Sequence, residues 1–213
     1  EVQVRALDDV SMEIRAGEFL SIVGPSGSGK STMLGLLGVL DLPTHGVIRV
    51  RGVDVSRLSD AERSRLRGEA IGFVFQQFHL IPHLTALGNV ETALLYRGLS
   101  SKRRRGRALE ALEQVDLGDR HDHRPVQLSG GEQQRVAIAR AIATEPDVVL
   151  ADEPTGALDS KNAENVLQIF DDLQTPERSI CIVTHDLHIA HFAHRKISML
   201  DGRIVSDASL ERS

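Results

Sequence analysis

The chain has 213 residues, 41% hydrophobic and 26% charged, which fits one globular domain with its own core and excludes a disordered, collagen-like or coiled-coil chain. Aromatics make up only 3%, with no Trp, so the core is aliphatic and stacking platforms for single-stranded nucleic acid are not expected. A net charge of -5 also argues against a domain built to hold nucleic acid, and the single cysteine, Cys181, excludes an internal disulfide.

Val10-Ser11-Met12-Glu13-Ile14 alternates apolar and polar residues and predicts a half-buried strand, followed by a turn at Arg15-Ala16-Gly17. Phe19-Leu20-Ser21-Ile22-Val23 predicts a second strand running into a Gly-rich loop. A buried helix follows over about residues 30–40, then a short strand at Val47-Ile48-Arg49-Val50. Ser59 and Glu62 have capping-box spacing and start a short basic helix through Arg67. Residues 71–75 read as a strand, and residues 84–117 as helical, with the basic run Lys102-Arg103-Arg104-Arg105 and Arg107 inside them. From there helices near 131–144 and 161–174, and a short one after Asp186, alternate with strands at 148–151, 180–183 and 197–200. A turn at Asp201-Gly202 closes the pattern. This alternation implies an α/β fold with a mostly parallel sheet. Cys181 falls in an apolar strand and reads as a small core residue. No stretch approaches the roughly 18 apolar residues of a membrane span, and no signal peptide opens the chain, so the default compartment is the cytoplasm.

Gly24-Pro25-Ser26-Gly27-Ser28-Gly29-Lys30-Ser31 fits the phosphate-loop pattern, between a strand and a helix as that pattern requires. Glycines let backbone N–H groups converge on phosphate oxygens, and the helix N-terminus adds positive charge. Lys30 can reach β- and γ-phosphates, and the Ser31 hydroxyl can ligate Mg2+. An apolar strand ending in Asp152 and Glu153 supplies a carboxylate for the metal, Asp152, and a general base for water, Glu153. Ser129 and Glu132 again have capping-box spacing around Gly130 and Gly131, so a second helix N-terminus offers a second anion site.

Taken together, Leu128-Ser129-Gly130-Gly131-Glu132-Gln133-Gln134-Arg135, the phosphate loop and Asp152-Glu153 resemble the nucleotide-binding domain of an ABC transporter. The resemblance covers essentially the whole chain. Gln76 falls at the family's Q-loop glutamine, Ala157-Leu158-Asp159 resembles its D-loop, and His185 falls at its switch histidine. Segments 72–82, 85–87 and 151–160 look most like ATPases of lipoprotein-release and macrolide- or peptide-export systems. The resemblance implies a P-loop NTPase (RecA-like) core over 1–76 and 131–213, with an N-terminal antiparallel β part and an inserted helical subdomain at about 77–130.

It further implies ATP and Mg2+ as cofactors and a head-to-tail dimer with a second copy of the chain. Each ATP would lie between Gly24 to Thr32 of one copy and Ser129, Gly130, Gly131 and Glu132 of the other, with Thr32 beside Ser31. Ser31, Gln76 and Asp152 would hold the metal, Glu153 would activate water, His185 would contact the γ-phosphate, and Asp159 would link the two sites. A separate integral membrane permease subunit would dock near the Q-loop and the helical segment through about Arg97, at the cytoplasmic face of the membrane. The function implied is export or membrane extraction of a substrate. The alternative is a mechanical regulator acting on envelope enzymes, as in cell-division relatives. A soluble ATP switch in DNA repair or translation is disfavoured by the single compact chain.

Two positions and one segment depart from the family pattern. Gly88 stands where relatives usually carry Glu, His45 where Ser is common, and residues 1–18 hold no aromatic that could stack on adenine. The expectation is a preceding segment about a strand long that carries that aromatic, without which adenine binds weakly. His185, His188, His191 and His194, and the pair His121 and His123, read as structural rather than as a metal ladder, and the basic run reads as a solvated helix face.

Overall fold

A computed structural model describes residues 5–210. The elements in chain order are β1 (Phe19–Val23), α1 (Lys30–Leu37), β2 (Arg49–Val50), β3 (Val53–Asp54), α2 (Asp60–Ala70), β4 (Ile71–Phe75), α3 (Ala86–Thr92), α4 (Ser101–Glu113), α5 (Gly130–Ile142), β5 (Val148–Asp152), α6 (Ser160–Leu173), β6 (Ser179–Thr184), α7 (Leu187–Ala190), β7 (Arg195–Leu200) and β8 (Arg203–Ser209). Six strands form one sheet in the order β4-β5-β6-β1-β7-β8, parallel except for the last pair, while β2 and β3 form a small antiparallel ribbon. The anticipated mostly parallel sheet is therefore present.

The strands alternate their side chains between two cores, as period-2 geometry demands. Phe19, Val149, Ala151, Ile180 and Ile182 face the layer of α3, α4, α5 and α6. Leu20, Ile22, Leu150, Cys181 and Val183 face α1 and the segment before β1. Cys181 is fully buried, and burial pushes its thiol up to about 12, which suits an inert core residue.

Val10 to Ile14 do not form a strand. Their alternation holds, since Val10, Met12 and Ile14 pack on the α1-side core while Ser11 and Glu13 are exposed, but the segment joins no ladder. A periodic pattern reports which face is buried, not whether a neighbouring strand completes the hydrogen bonds. The helical stretch at 84–117 is broken between α3 and α4, where Gly98 adopts φ +65°. The strand β8 is not predicted from the sequence, because its residues are almost all exposed and four of the seven are polar. It is held by Arg195, which donates to both carboxylate oxygens of Asp207 at 2.6 Å and to Glu18 at 2.9 Å. That guanidinium holds the Asp207 carboxyl below the usual carboxylate range.

Of the basic run on α4, Arg104 pairs with Glu91 and Arg107 with Glu145, tying the helix to its neighbours. At the start of α3, the Thr85 hydroxyl accepts from the N–H of Gly88 at 3.1 Å. The buried side chain of Asn89 accepts from the N–H of Ile81 and donates to the carbonyls of Ile81 and Thr85, which shapes the loop ahead of the helix.

Candidate active site

Four parallel strands end along one edge of the sheet, and each delivers a residue singled out from the sequence. Register aligns Phe75, Asp152 and Val183 across β4, β5 and β6, and Val23 with Thr184 across β1 and β6. Gln76, Glu153, His185 and the loop at Gly24 therefore lie at the same level of four adjacent strands, a position where open α/β sheets bind ligands.

The loop after β1 fits a phosphate. Gly27 and Gly29 have φ of +80° and +97°, and a Cβ at Gly24 would lie 2.4 Å from the carbonyl oxygen of Met199. Because Gly29 occupies the N-cap, α1 has no side-chain cap, and no acid occupies its first turn, so the N–H groups there stay open to an anion. The Lys30 ammonium donates to the carbonyls of Gly24 and Pro25 at 2.7 and 2.9 Å, already folded over the loop. The Ser28 hydroxyl is buried with no partner among the described residues, an orphan that a ligand oxygen would satisfy. Pro25, Ser26, Gly27 and Ser31 are exposed on the same loop and first turn.

Asp152 closes β5 and is half buried. Burial raises its carboxyl above the usual range, the neighbouring Glu153 adds to that, and Lys30 opposes it, so Lys30 and Asp152 feel each other across the edge. A cation at this point would favour the charged form. Asp152, Ser31 and Gln76 offer oxygen donors only, the chemistry that Mg2+ prefers.

Glu153 turns away from the strand at φ +45°, in the left-handed region, while its N–H still donates to the Val183 carbonyl at 2.8 Å. Both of its carboxylate oxygens are occupied. Oε2 accepts from the Thr184 hydroxyl at 2.9 Å and Oε1 from the backbone N–H of His185 at 2.9 Å. The His185 ring meets the same Oε1 through Nδ1 at 2.6 Å, which leaves Nε2 of this largely exposed ring unengaged by Glu153. Gln76 lies over the loop that follows: a Cβ at Gly156 would sit 2.7 Å from its Nε2.

The second helix N-terminus is elsewhere. Ser129 caps α5 by accepting from the N–H of Glu132 at 3.2 Å, while Glu132 accepts from the N–H of Ser129 at 2.8 Å, which holds the Glu132 carboxyl below its usual range. Asp159 caps α6, accepting from Asn162, whose side chain lies so close to Gly131 that a Cβ there would come within 2.6 Å. Thus Asp159 and the glycines of 130–131 adjoin each other. Helix α5 packs on β4, α3, α4 and α6, whereas α1 packs on β5 and β6. Among the described residues no hydrogen bond or ion pair joins 24–32 to 128–135.

Three participants were not anticipated. Thr184 holds Glu153, the fully buried Gln134 reaches the ends of two strands, and Gly202 donates its N–H to the Ser28 carbonyl and so braces the phosphate loop. Only Gln134 left a signal, as a polar residue on the buried face of α5. The histidines of 185–194 serve separately: His188 and His194 pack edge-on against Phe192 and Phe19. Among the described residues no group of three or more His, Cys, Asp or Glu could hold a metal, and no helix is long and apolar enough to cross a membrane. Glu1 to Val4, next to the expected adenine-stacking segment, lie outside the described residues.

The ABC transporter family model matches residues 7–156. The chain is 52% identical over 204 residues to the macrolide export ATP-binding/permease protein MacB 1/2 of Paracoccus denitrificans, covering 96% of this chain but 30% of that protein. It is 50% identical over 212 residues to the uncharacterized ABC transporter ATP-binding protein MJ0796 of Methanocaldococcus jannaschii, 90% of which it spans. It superimposes with a TM-score of 0.86, at 48% identity, on the dimeric structure of a post-hydrolysis state of the MJ0796 cassette bound to ADP and Pi, covering 98% of this chain and 92% of that one.

Proposed function

The chain belongs to the ABC transporter family, and from that premise we propose that it binds and hydrolyses ATP at the interface of two head-to-tail copies, powering a membrane permease from the cytoplasmic face of the membrane. The observation that carries the reading is the separation of two anion-binding helix starts on one chain. The open N-terminus of α1 lies at the strand ends that carry Asp152 and Glu153, while the capped start of α5 lies beside Asn162, Leu158 and Phe78. We read them as halves of different sites, brought onto one γ-phosphate by two copies. The dimeric MJ0796 cassette supports such a pairing.

In that pair, residues 24–32 of one copy cradle the phosphates and Lys30 exchanges its carbonyl partners for β- and γ-oxygens. Ser31, Gln76 and Asp152 would hold Mg2+, which would supply charge neutralisation for those oxygens. Glu153 takes the proton of the attacking water. Its tethers to Thr184 and His185 fix the carboxylate in advance, which is where positioning lowers a barrier. His185 contacts the γ-phosphate through the nitrogen that Glu153 leaves free. Ser129 to Glu132 close over the phosphate from the other copy, and Asp159 carries the state of one site to the next. ATP favours the closed pair and hydrolysis releases it, because the γ-phosphate is bound by both copies only when closed.

Residues 77–130 form the helical subdomain and, with Gln76, receive the permease. Export or membrane extraction of a substrate is supported by the named activity of the macrolide-export relatives, of which this chain spans about a third. The test is Mg2+-dependent ATP turnover. Glu153→Gln should abolish turnover and keep ATP binding. Undiminished hydrolysis in that variant would overturn the assignment of Glu153, and a native chain with no turnover would overturn the whole reading.

A further inference from the structure

Helix α5 does more than present its first turn. Gln134, fully buried near its middle, donates through Nε2 to the Pro154 carbonyl at 2.6 Å and to the Phe75 carbonyl at 3.4 Å. Pro154 directly follows Glu153, and Phe75 directly precedes Gln76. Six residues on, Arg140 donates to the carbonyls of His79 and Phe78 at 2.7 and 2.9 Å. Two side chains of one helix thus grip four backbone carbonyls, on both segments that carry the reacting groups.

A buried amide is an unexpected choice at such a position. Met or Leu would fill similar space without desolvating a polar group, and among the described residues the Gln134 Oε1 has no hydrogen-bond partner, nor does the buried hydroxyl of Thr155 next to Pro154. Packing alone does not account for Gln134; the two carbonyl bonds do. The carbonyls are also backbone groups, so the grip acts on the course of the chain rather than on one rotamer.

We propose that Gln134 is a positioning residue for hydrolysis. It locks α5, the helix that Ser129 caps, to the end of β4 and to the loop after β5, so that a shift of α5 relocates Gln76 and Glu153 together, with Arg140 as the second point of attachment. The consequence for turnover rests on the ATP-hydrolysing function proposed above; the tether itself does not.

Two measurements on the full chain separate these. Hydrogen–deuterium exchange without nucleotide should speed up roughly 3- to 10-fold at residues 76–79 and 155–158 in Gln134→Met, the factor set by one net hydrogen bond, with residues 24–30 unchanged. Steady-state ATPase should then lose about 10- to 100-fold in kcat with KM for ATP within about twofold, the signature of a misplaced base rather than of weakened binding. Ile138→Val, a buried trim on the same helix, should leave kcat within about twofold and serves as the control for general destabilisation. Arg140→Lys, which loosens only the carbonyls of 78 and 79, should speed exchange at 76–79 and lower kcat by less, and it carries the test if Gln134→Met does not fold. Unchanged exchange at 76–79 and 155–158, or a kcat within about twofold of the native chain, overturns the proposal. Faster exchange in a protein whose native form has no ATPase would keep the tether and refute the function.

Discussion

Gly88→Glu should stabilise this chain. Gly88 is the third residue of α3, three positions after the cap residue Thr85, whose hydroxyl accepts from the Gly88 N–H. A Glu here could accept a hydrogen bond from the N–H of Thr85 and complete a capping box of the kind seen at Ser59 and Ser129. Removing glycine from a helix is worth about 0.5–1 kcal/mol, and an acid in the first turn adds about 0.3–1 kcal/mol. A Cβ would lie 3.3 Å from Leu84 Cβ, so a small adjustment offsets part of this gain. The net expectation is about 1 kcal/mol, or roughly 2–4 °C in Tm for a chain of this size. Thermal unfolding of Gly88→Ala isolates the backbone contribution, since it bears the same Cβ without the carboxylate. Glu should exceed Ala. A Glu variant no more stable than the Ala variant would refute the capping argument.

Thr184→Val removes the hydroxyl that holds Glu153 Oε2 at nearly constant volume. A hydrogen bond to a charged group is worth about 1.5–3 kcal/mol, so kcat should fall at least about tenfold with KM for ATP unchanged; a parallel rise in KM would contradict it. Asp207, held below its usual range by Arg195, contributes stability that is present above its unfolded value near about 4 and is lost as pH falls through the lower folded value. Asp207→Asn should therefore lower stability at neutral pH and flatten the acid limb of a denaturation profile below about pH 4; superimposable acid limbs would exclude that role.

Much of the candidate site is legible because its chemistry is local. A glycine loop between a strand and a helix, and two acids at the end of an apolar strand, each state their geometry within a few residues, and the capping boxes at Ser59 and Ser129 form as their spacing predicts. The contacts that hold the site together were not legible. Glu153 meets Thr184 and His185 across 31 and 32 residues, and Gln134 reaches Phe75 across 59. Nothing in a short window encodes such pairings, because they follow from the order in which strands enter the sheet. The same reason explains the errors in secondary structure. Residues 10–14 carry the right alternation with no ladder to join, and β8 shows little apolar pattern because Arg195 and pairing with β7, rather than burial, hold it.

The central claim is that one chain carries two halves of different sites, which become whole only when two copies meet around ATP. Light scattering on Glu153→Gln, with hydrolysis blocked, tests it most directly. With ATP and Mg2+ the molar mass should double, and without nucleotide, or with Lys30→Ala added, it should stay that of one chain. A variant that binds ATP and Mg2+ yet remains a monomer at every protein concentration would contradict the account.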